Sequence, residues 1–524
     1  MTFATIDIAV VVLYAIGIFG LAQWVSGARQ AGAQTSTDYF LASKDLPWWA
    51  IGASLIAANI SAEQIVGMSG SGYAIGLAIA SYEWMAAATL LLVGKFFLPI
   101  FLQNGIHTMP QFLEQRYGPR LRTIMALFWL ALYVFVNLTS IIWLGSIAIH
   151  KVTGLNQDWA LVVLGVFALL YQLRGGLKAV ALTDIVQVTL LVLGGIVISG
   201  LTLGRLGGDG GIIAGWHRLV AELPEHFHMI LRRDDPHYAD LPGISVLVGG
   251  MWIANLSYWG FNQYIIQRAL AARSLGEAQK GILFAAFLKL LMPAIIVLPG
   301  IAAVLLAPGL AKPDEAYPTM MALLPSGLLG LVFAALVAAI IASTASKINS
   351  IATIFTLDLY AKLHPGEAGP EREAGLVRTG RIAASLAMAL AILTARPLVG
   401  ASEQAFQFIQ EFTGFFTPGI TVIFLFGLFW KGASEAGAIA AAVGSVALSW
   451  LGKVYAPGVP FLDRMALVFL ATATLAVVVS LARPGAAGAN RIDTATVDTR
   501  TGAVFNAGAV AVLVILAALY ATWW

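Results

Sequence analysis

The chain of 524 residues has no cysteine, and only 11% of it is charged. Without a thiol there is no disulfide, no thiolate metal centre and no cysteine nucleophile. A soluble chain devotes about 25% of its residues to charge, because its surface needs them. Here 30 Lys and Arg stand against 27 Asp and Glu, too few to coat a body of 55.4 kDa in water. The net charge of +3 leaves no basic face for nucleic acid. Also missing are a P-loop, a GxSxG elbow, an HExxH motif and a histidine-rich cluster, which removes P-loop-driven pumps and the common intramembrane hydrolases. No enzyme is expected. Nor does any Lys or Arg precede the first apolar stretch, Ile6 to Trp24. That stretch therefore lacks the basic start of a signal peptide and reads as a retained helix, as in an inner or plasma membrane protein.

What is abundant points the same way. Hydrophobic residues make up 59% of the chain, glycines number 53, and mean hydropathy is +0.85. Such a chain is an all-α polytopic membrane protein whose helices pack closely in lipid. Fourteen apolar runs are long enough to cross a bilayer, among them 47–71, 243–267 and 402–430. Lys and Arg number eighteen in the odd-numbered loops and nine in the even-numbered ones. The positive-inside rule then makes the odd loops cytoplasmic and both termini extracytoplasmic. The long loop 205–242, with His217, His226, His228 and His237, falls outside. Solvated histidines of this kind rarely bind metal, and Trp216 to Leu223 reads better as a short amphipathic helix on the membrane surface.

Charge inside an apolar run costs about 2.5–3.5 kcal/mol on insertion scales and normally faces a cavity or a partner. Glu63, Glu83, Asp184, Lys289 and Lys347 lie in such positions, with Glu403 and Glu411 nearer a helix end and the amides Asn59, Gln64, Asn137, Asn255 and Gln410 beside them. Single amides often only bridge two helices, and Lys289 could serve a structural ion pair. The cluster Asn59-Ile-Ser-Ala-Glu-Gln64 is too dense for one hidden face. A polar pathway without a catalytic constellation means transport.

Two segments interrupt the helical pattern. In the second run, Asn, Ser, Glu and Gln fall within six residues and glycines follow. In the seventh, Val248 to Gln263 mixes glycines with amides and with Tyr258 and Trp259. Interrupted segments at matching places suggest inverted repeats around a midplane site. The expected organisation is an extra N-terminal helix and linker (1–46), a first five-helix repeat (47–204, helices 2–6), the external loop (205–242), a second repeat (243–430, helices 7–11) and accessory helices 12–14 (431–524).

Asp38-Tyr-Phe-Leu-Ala-Ser-Lys-Asp-Leu-Pro-Trp-Trp-Ala50, Ala57-Ala-Asn-Ile-Ser-Ala-Glu-Gln64, Tyr258-Trp-Gly-Phe-Asn-Gln-Tyr-Ile-Ile-Gln-Arg268 and Phe406-Gln-Phe-Ile-Gln-Glu-Phe-Thr-Gly414 resemble the sodium/solute symporter family. The likeness is greatest to its SGLT-like branch, which includes bacterial sodium/galactose symporters. It runs nearly end to end, weakening after about residue 430. It implies fourteen helices, a LeuT-like core of two inverted repeats with broken second and seventh helices, and sodium-coupled symport of a galactose- or glucose-like monosaccharide. Carried over residue by residue, the sugar site falls on Asn59, Gln64, Glu83, Asn137, Asn255, Tyr258, Lys289 and Gln410. Tyr258 serves as inner gate, and Met68, Tyr82 and Phe406 as outer gate. Amides, a carboxylate and an ammonium suit sugar hydroxyls, and an aromatic face suits the C–H side of the ring.

By the same resemblance the coupling ion, Na⁺, is held by Ala57, Ile60, Ala339, Ala342 and Ser343, with Asp184 on its exit route. Two departures stand out: by the resemblance, Ala86 occupies a position where a serine is expected, and Ala342 one where a second hydroxyl ligand is expected. Lost oxygen weakens a site for a hard cation. Lys347, one turn beyond Ser343, either faces the cytoplasm or brings its ammonium to the ion site and makes the carrier proton-coupled or facilitative. Other solutes on the same fold (an inositol, a nucleoside, sialic acid) remain alternatives, as does a sensor that binds sugar without moving it. Expected partners are the sugar, sodium and membrane lipid, and a homo-oligomer is compatible with the sequence.

Overall fold

The computed structural model describes residues 4–27, 46–106, 108–174, 177–364, 370–485, 492, 494 and 496–524. Among the described residues there are helices and no strand, with one isolated bridge between Leu46 and Ala272. Nine of these helices are long and apolar enough to cross a membrane, or eleven if each of two bent pairs is one span. All fourteen apolar runs carry helix.

The second run breaks as its composition suggests. Helix Trp48–Asn59 ends at Ile60, whose φ of −69° and ψ of 113° are extended, and the chain resumes at Glu63 bent by 67°. Ser61 starts the second half by accepting the Glu63 N–H at 3.2 Å. The seventh run is interrupted at Asn262 (ψ 120°), between helices Gly250–Phe261 and Gln263–Leu270. The run 402–430 reads as one helix in the sequence but is two, Ala405–Thr413 and Thr417–Phe429, bent by 45°. Gly414, which caps the first half, and Pro418, in the first turn of the second, mark that break in the sequence.

Close approach of glycines sets the register that builds the site. A Cβ added to Gly52 would lie 2.7 Å from the Gly281 carbonyl, and one added to Gly281 would lie 2.9 Å from the Trp48 carbonyl. Helix Trp48–Asn59 therefore packs closely against the long helix Leu275–Leu306 at these two glycines, with the side chains of Ile51 and Phe284 beside them. Two turns further along each helix, Asn59 and Lys289 come together. The second half of the broken run crosses the same long helix at Gly300, where an added Cβ would stand 2.1 Å from the Ser69 carbonyl.

Four helices widen locally into π-type turns, at Glu63–Met68, Val93–Phe97, Tyr133–Leu138 and Ile354–Tyr360. The first and third carry Glu63, Gln64 and Asn137, in keeping with the tendency of such bulges to sit at functional places. The loop 205–242 forms helix Gly211–Glu222, which begins before the expected Trp216 and ends just short of Leu223. Its Gly215 lies hard against the backbone of Leu203, and Trp216 packs edge-on to Phe227 and Trp523. The loop histidines form no group of three metal-ligating residues among the described residues.

Candidate functional site

A polar cavity lies between the broken second run, helix Ser81–Leu92, helix Gly250–Phe261 and the long helix. Its floor is a buried charge cluster. Lys289 is 1% exposed; its Nζ donates to Glu83 Oε2 at 2.5 Å and to Asn59 Oδ1, and lies 5.0 Å from the centre of the Trp259 ring. An ammonium and a carboxylate removed from water require this sort of mutual satisfaction. Lys289 and Glu83 are 206 residues apart, so the pairing has no local signature in the sequence.

Aromatic rings close the cavity on two sides. Tyr82 and Phe406 meet edge-to-face, centroids 5.1 Å apart and planes at 87°. Opposite them, Tyr258 Oη accepts from Asn59 Nδ2 at 3.1 Å and shares a 2.8 Å hydrogen bond with Tyr264 Oη. Asn59 thus belongs both to the charge cluster and to the tyrosine pair.

Of the residues expected in a sugar site, Asn59, Gln64, Glu83, Asn255, Tyr258, Lys289 and Gln410 line this cavity, together with Tyr82 and Phe406. Ala86 lines it too, with no hydroxyl to offer. Asn137 does not line it: it lies beside the Glu63 carboxylate. Met68 is wholly buried behind the cavity, next to Gly67, on which Phe406 packs. Lining residues absent from the expectation include Trp259, Thr413, Thr417 and Met465. Trp259 adjoins Tyr258 and could have been found from that. Thr413 and Thr417 flank the break that Gly414 and Pro418 mark, and Met465 belongs to an ordinary apolar run. Glu411 stands apart from the cavity in an ion cluster with Lys453 (2.8 Å) and Arg464 (2.6 Å).

A second, smaller cavity lies on the other side of the broken helix. Ala57, Ala58, Tyr264, Arg268, Ala342, Ser343, Ser346 and Lys347 line it. The break at Ile60 leaves the last carbonyls of helix Trp48–Asn59 without the partners a continuous helix would give them, and a helix C-terminus carries partial negative charge. With the Ser343 hydroxyl this is a donor set for a small hard cation. Ala342 contributes no side-chain oxygen. Ile60 and Ala339 lie outside the lining, and the side chain of Asp184 lies outside the described residues. Lys347 Nζ stands 3.8 Å from Glu63 Oε2 and 5.3 Å from the centre of the Tyr264 ring.

The two cavities are joined by contacts. Lys347 meets Tyr264, Tyr264 bonds Tyr258, Tyr258 bonds Asn59, and Asn59 bonds Lys289.

Residues 39–444 match the family described as "Sodium:solute symporter family". The sodium/glucose cotransporter of Vibrio parahaemolyticus is 47% identical, covering 99% of this chain and 98% of its own. The sodium/myo-inositol cotransporter 2 of Sus scrofa is 36% identical over 82% of this chain and 67% of its own. Among solved structures, a substrate-bound, outward-open Na⁺-coupled sialic acid symporter superposes with a TM-score of 0.76 at 23% identity, covering 92% of this chain and 98% of that one. A nucleobase-cation-symport-1 family transporter in a closed conformation gives 0.53 at 15%, covering 87% and 98%. Both structures speak to the fold.

Proposed function

The chain belongs to the sodium:solute symporter family, and we infer from that premise that it carries a monosaccharide into the cell together with sodium, by alternating access. The observation that carries the reading is the buried Lys289–Glu83–Asn59 cluster, open to a cavity with aromatic rings on two sides. Each of these groups presents to a sugar the donors and acceptors that it now spends on its neighbours. Gln64, Asn255 and Gln410 add amides, and Tyr258 with Trp259 covers the apolar face of the ring. A site built this way discriminates against analogues that lack a hydroxyl, because its own buried groups would be left unpaired.

Tyr82 with Phe406 and Tyr258 with Tyr264 are the two gates, each opening while the other holds. The coupling ion takes the smaller cavity, at the Ala57 end of the broken helix and Ser343, with Ile60 and Ala339 completing its shell from the backbone. Its arrival supports the Tyr264–Tyr258–Asn59 contacts from below, which is how sodium favours sugar binding. The overall organisation is fourteen spans, with helices 2–6 and 7–11 as inverted repeats and both termini extracytoplasmic in a plasma or inner membrane.

A second solute class is favoured by a specific observation. Ala86 lines the cavity without a hydroxyl, and myo-inositol cotransporters are among the relatives. Uptake of labelled galactose, and separately of labelled myo-inositol, into proteoliposomes under an inward Na⁺ gradient, each challenged with unlabelled glucose, galactose, myo-inositol, a nucleoside and sialic acid, distinguishes them. Competition by the hexoses at the lowest concentrations supports the reading. Uptake of myo-inositol but not of galactose would reassign the cargo, and no uptake of either labelled solute would overturn the reading.

A further inference from the structure

Lys347 carries a full positive charge into the cavity assigned to sodium, and its environment is unusual for a buried lysine. Its side chain is 6% exposed and that of Glu63 is 11% exposed. At 3.8 Å the two form an ion pair too long for a hydrogen bond. Glu63 Oε1 is buried without a hydrogen-bond partner, although Asn137 lies beside the carboxylate. The other cation lining the cavity, Arg268, is committed elsewhere: its guanidinium donates to Ser54 Oγ at 2.9 Å and to the Tyr264 carbonyl. Lys347, by contrast, lies on the same face of helix Leu328–Thr353 as Ser343, one turn away. The missing side-chain oxygen at Ala342 opens the same small space.

We propose that Lys347 is a tethered competitor of the coupling ion: its ammonium neutralises Glu63 in the empty state, and sodium binds by displacing it. The inference rests on the sodium-coupled reading above. A buried ionised carboxylate is stabilised by a counter-charge, and among the described residues Lys347 is the cation set beside Glu63, with Na⁺ as its alternative. A metal ion can take the carboxylate oxygens as ligands, the unpartnered Oε1 included, whereas the ammonium at 3.8 Å hydrogen-bonds neither. Lys347 then gives up Glu63 and keeps its place over the face of Tyr264, 5.3 Å from the ring centre, where a cation is tolerated. The expected consequence is a sodium affinity lower than the carbonyl and hydroxyl donors alone would give, set by one side chain outside the ligand shell.

The test is sodium binding without transport. Purified protein in detergent is titrated with ²²Na⁺, and Na⁺-dependent thermal stabilisation against choline is followed in parallel. Lys347→Met, of similar length and without charge, should tighten sodium binding on the order of tenfold or more, whereas Lys347→Arg should leave it weak. Glu63→Gln should weaken it, and the double variant should fall between the singles. Unchanged or weaker binding in a folded Lys347→Met protein would overturn the proposal. Lys347→Gln gives the same reading should the methionine variant not fold. If wild type shows no sodium dependence but Lys347→Met acquires it, the competitor stands and the sodium-coupled reading of the native chain falls. If wild type is sodium-dependent and insensitive to residue 347, the reverse holds.

Discussion

Lys289 and Glu83 meet at 2.5 Å across 206 residues of sequence, in a cluster that also takes in Asn59. The pairing neutralises two charges inside the helix bundle and keeps both at the edge of the cavity. A sugar entering there meets groups already oriented, so little ordering is left for the moment of binding.

Lys289→Ala removes two hydrogen bonds and leaves Glu83 buried without its counter-charge. Hydrogen bonds to charged groups are worth about 1.5–3 kcal/mol, so the apparent sugar constant should rise roughly tenfold to a hundredfold. The sodium constant should move far less. Gln64→Ala should show the same split more weakly. Initial uptake rates across sugar and sodium concentrations decide it. Equal changes in both constants would make these residues scaffolding.

Ser343→Ala should abolish sodium-dependent uptake, because it removes the one side-chain hydroxyl that the ion assignment relies on. Ala342→Ser should do the opposite. The residue is buried and lines the ion cavity, and a hydroxyl there adds an oxygen ligand worth about 1 kcal/mol, or several-fold in sodium affinity. Weaker sodium binding in Ala342→Ser would mean that the cavity has no room for it.

Tyr258 Oη is the point where the two cavities touch, through Asn59 at 3.1 Å and Tyr264 at 2.8 Å. Tyr258→Phe keeps the ring and removes both bonds. Sugar binding in the absence of sodium should change little, while the stimulation of sugar binding by sodium should shrink severalfold. Calorimetric titration with and without sodium measures the coupling directly. Full stimulation in the variant would show that coupling passes elsewhere.

Much of this was legible in the sequence, and the physical reason is that lipid allows few exceptions. Apolar runs must be helical, and polar residues within them must face something. The break after Asn59 could be read from the density of its polar side chains. The break after Thr413 carries ordinary end signals, Gly414 just past the first half and Pro418 in the first turn of the second, but a count of apolar runs passes over them. Helical periodicity gives the face on which Lys289 lies but not the helix opposite it. That took the glycine contact between Gly52 and Gly281, where the sequence alone does not say which glycine meets which. The resemblance groups Asn137 with the sugar residues, yet in the structure it stands beside Glu63, outside the cavity lining.

Asp314 gives a pH signature outside the spans. Burial pushes its carboxyl up to about 7, opposed by the Ala405 N–H, which donates to Oδ2 at 3.2 Å, and by the charge of Lys312, while Glu315 raises it further. Its carboxyl is thus protonated in the folded chain between about pH 4 and 7, where the unfolded chain has lost the proton. The folded state binds more protons in that window, so stability falls as pH rises through it and levels off above about 7. The contribution is about 4 kcal/mol at most. Asp314→Asn keeps an acceptor for Ala405 and removes the titration. Its melting temperature should gain on wild type progressively from pH 4 to 7 and hold a constant lead above that. A difference independent of pH would rule out the buried, protonated carboxyl.

Accumulation of labelled galactose or glucose in proteoliposomes, under an inward Na⁺ gradient or an inward H⁺ gradient, tests the account most directly. Concentrative uptake with Na⁺ alone, collapsing when a sodium ionophore dissipates the gradient, is the predicted result. Concentrative uptake driven by H⁺ alone, or equilibration without concentration under both gradients, would contradict it.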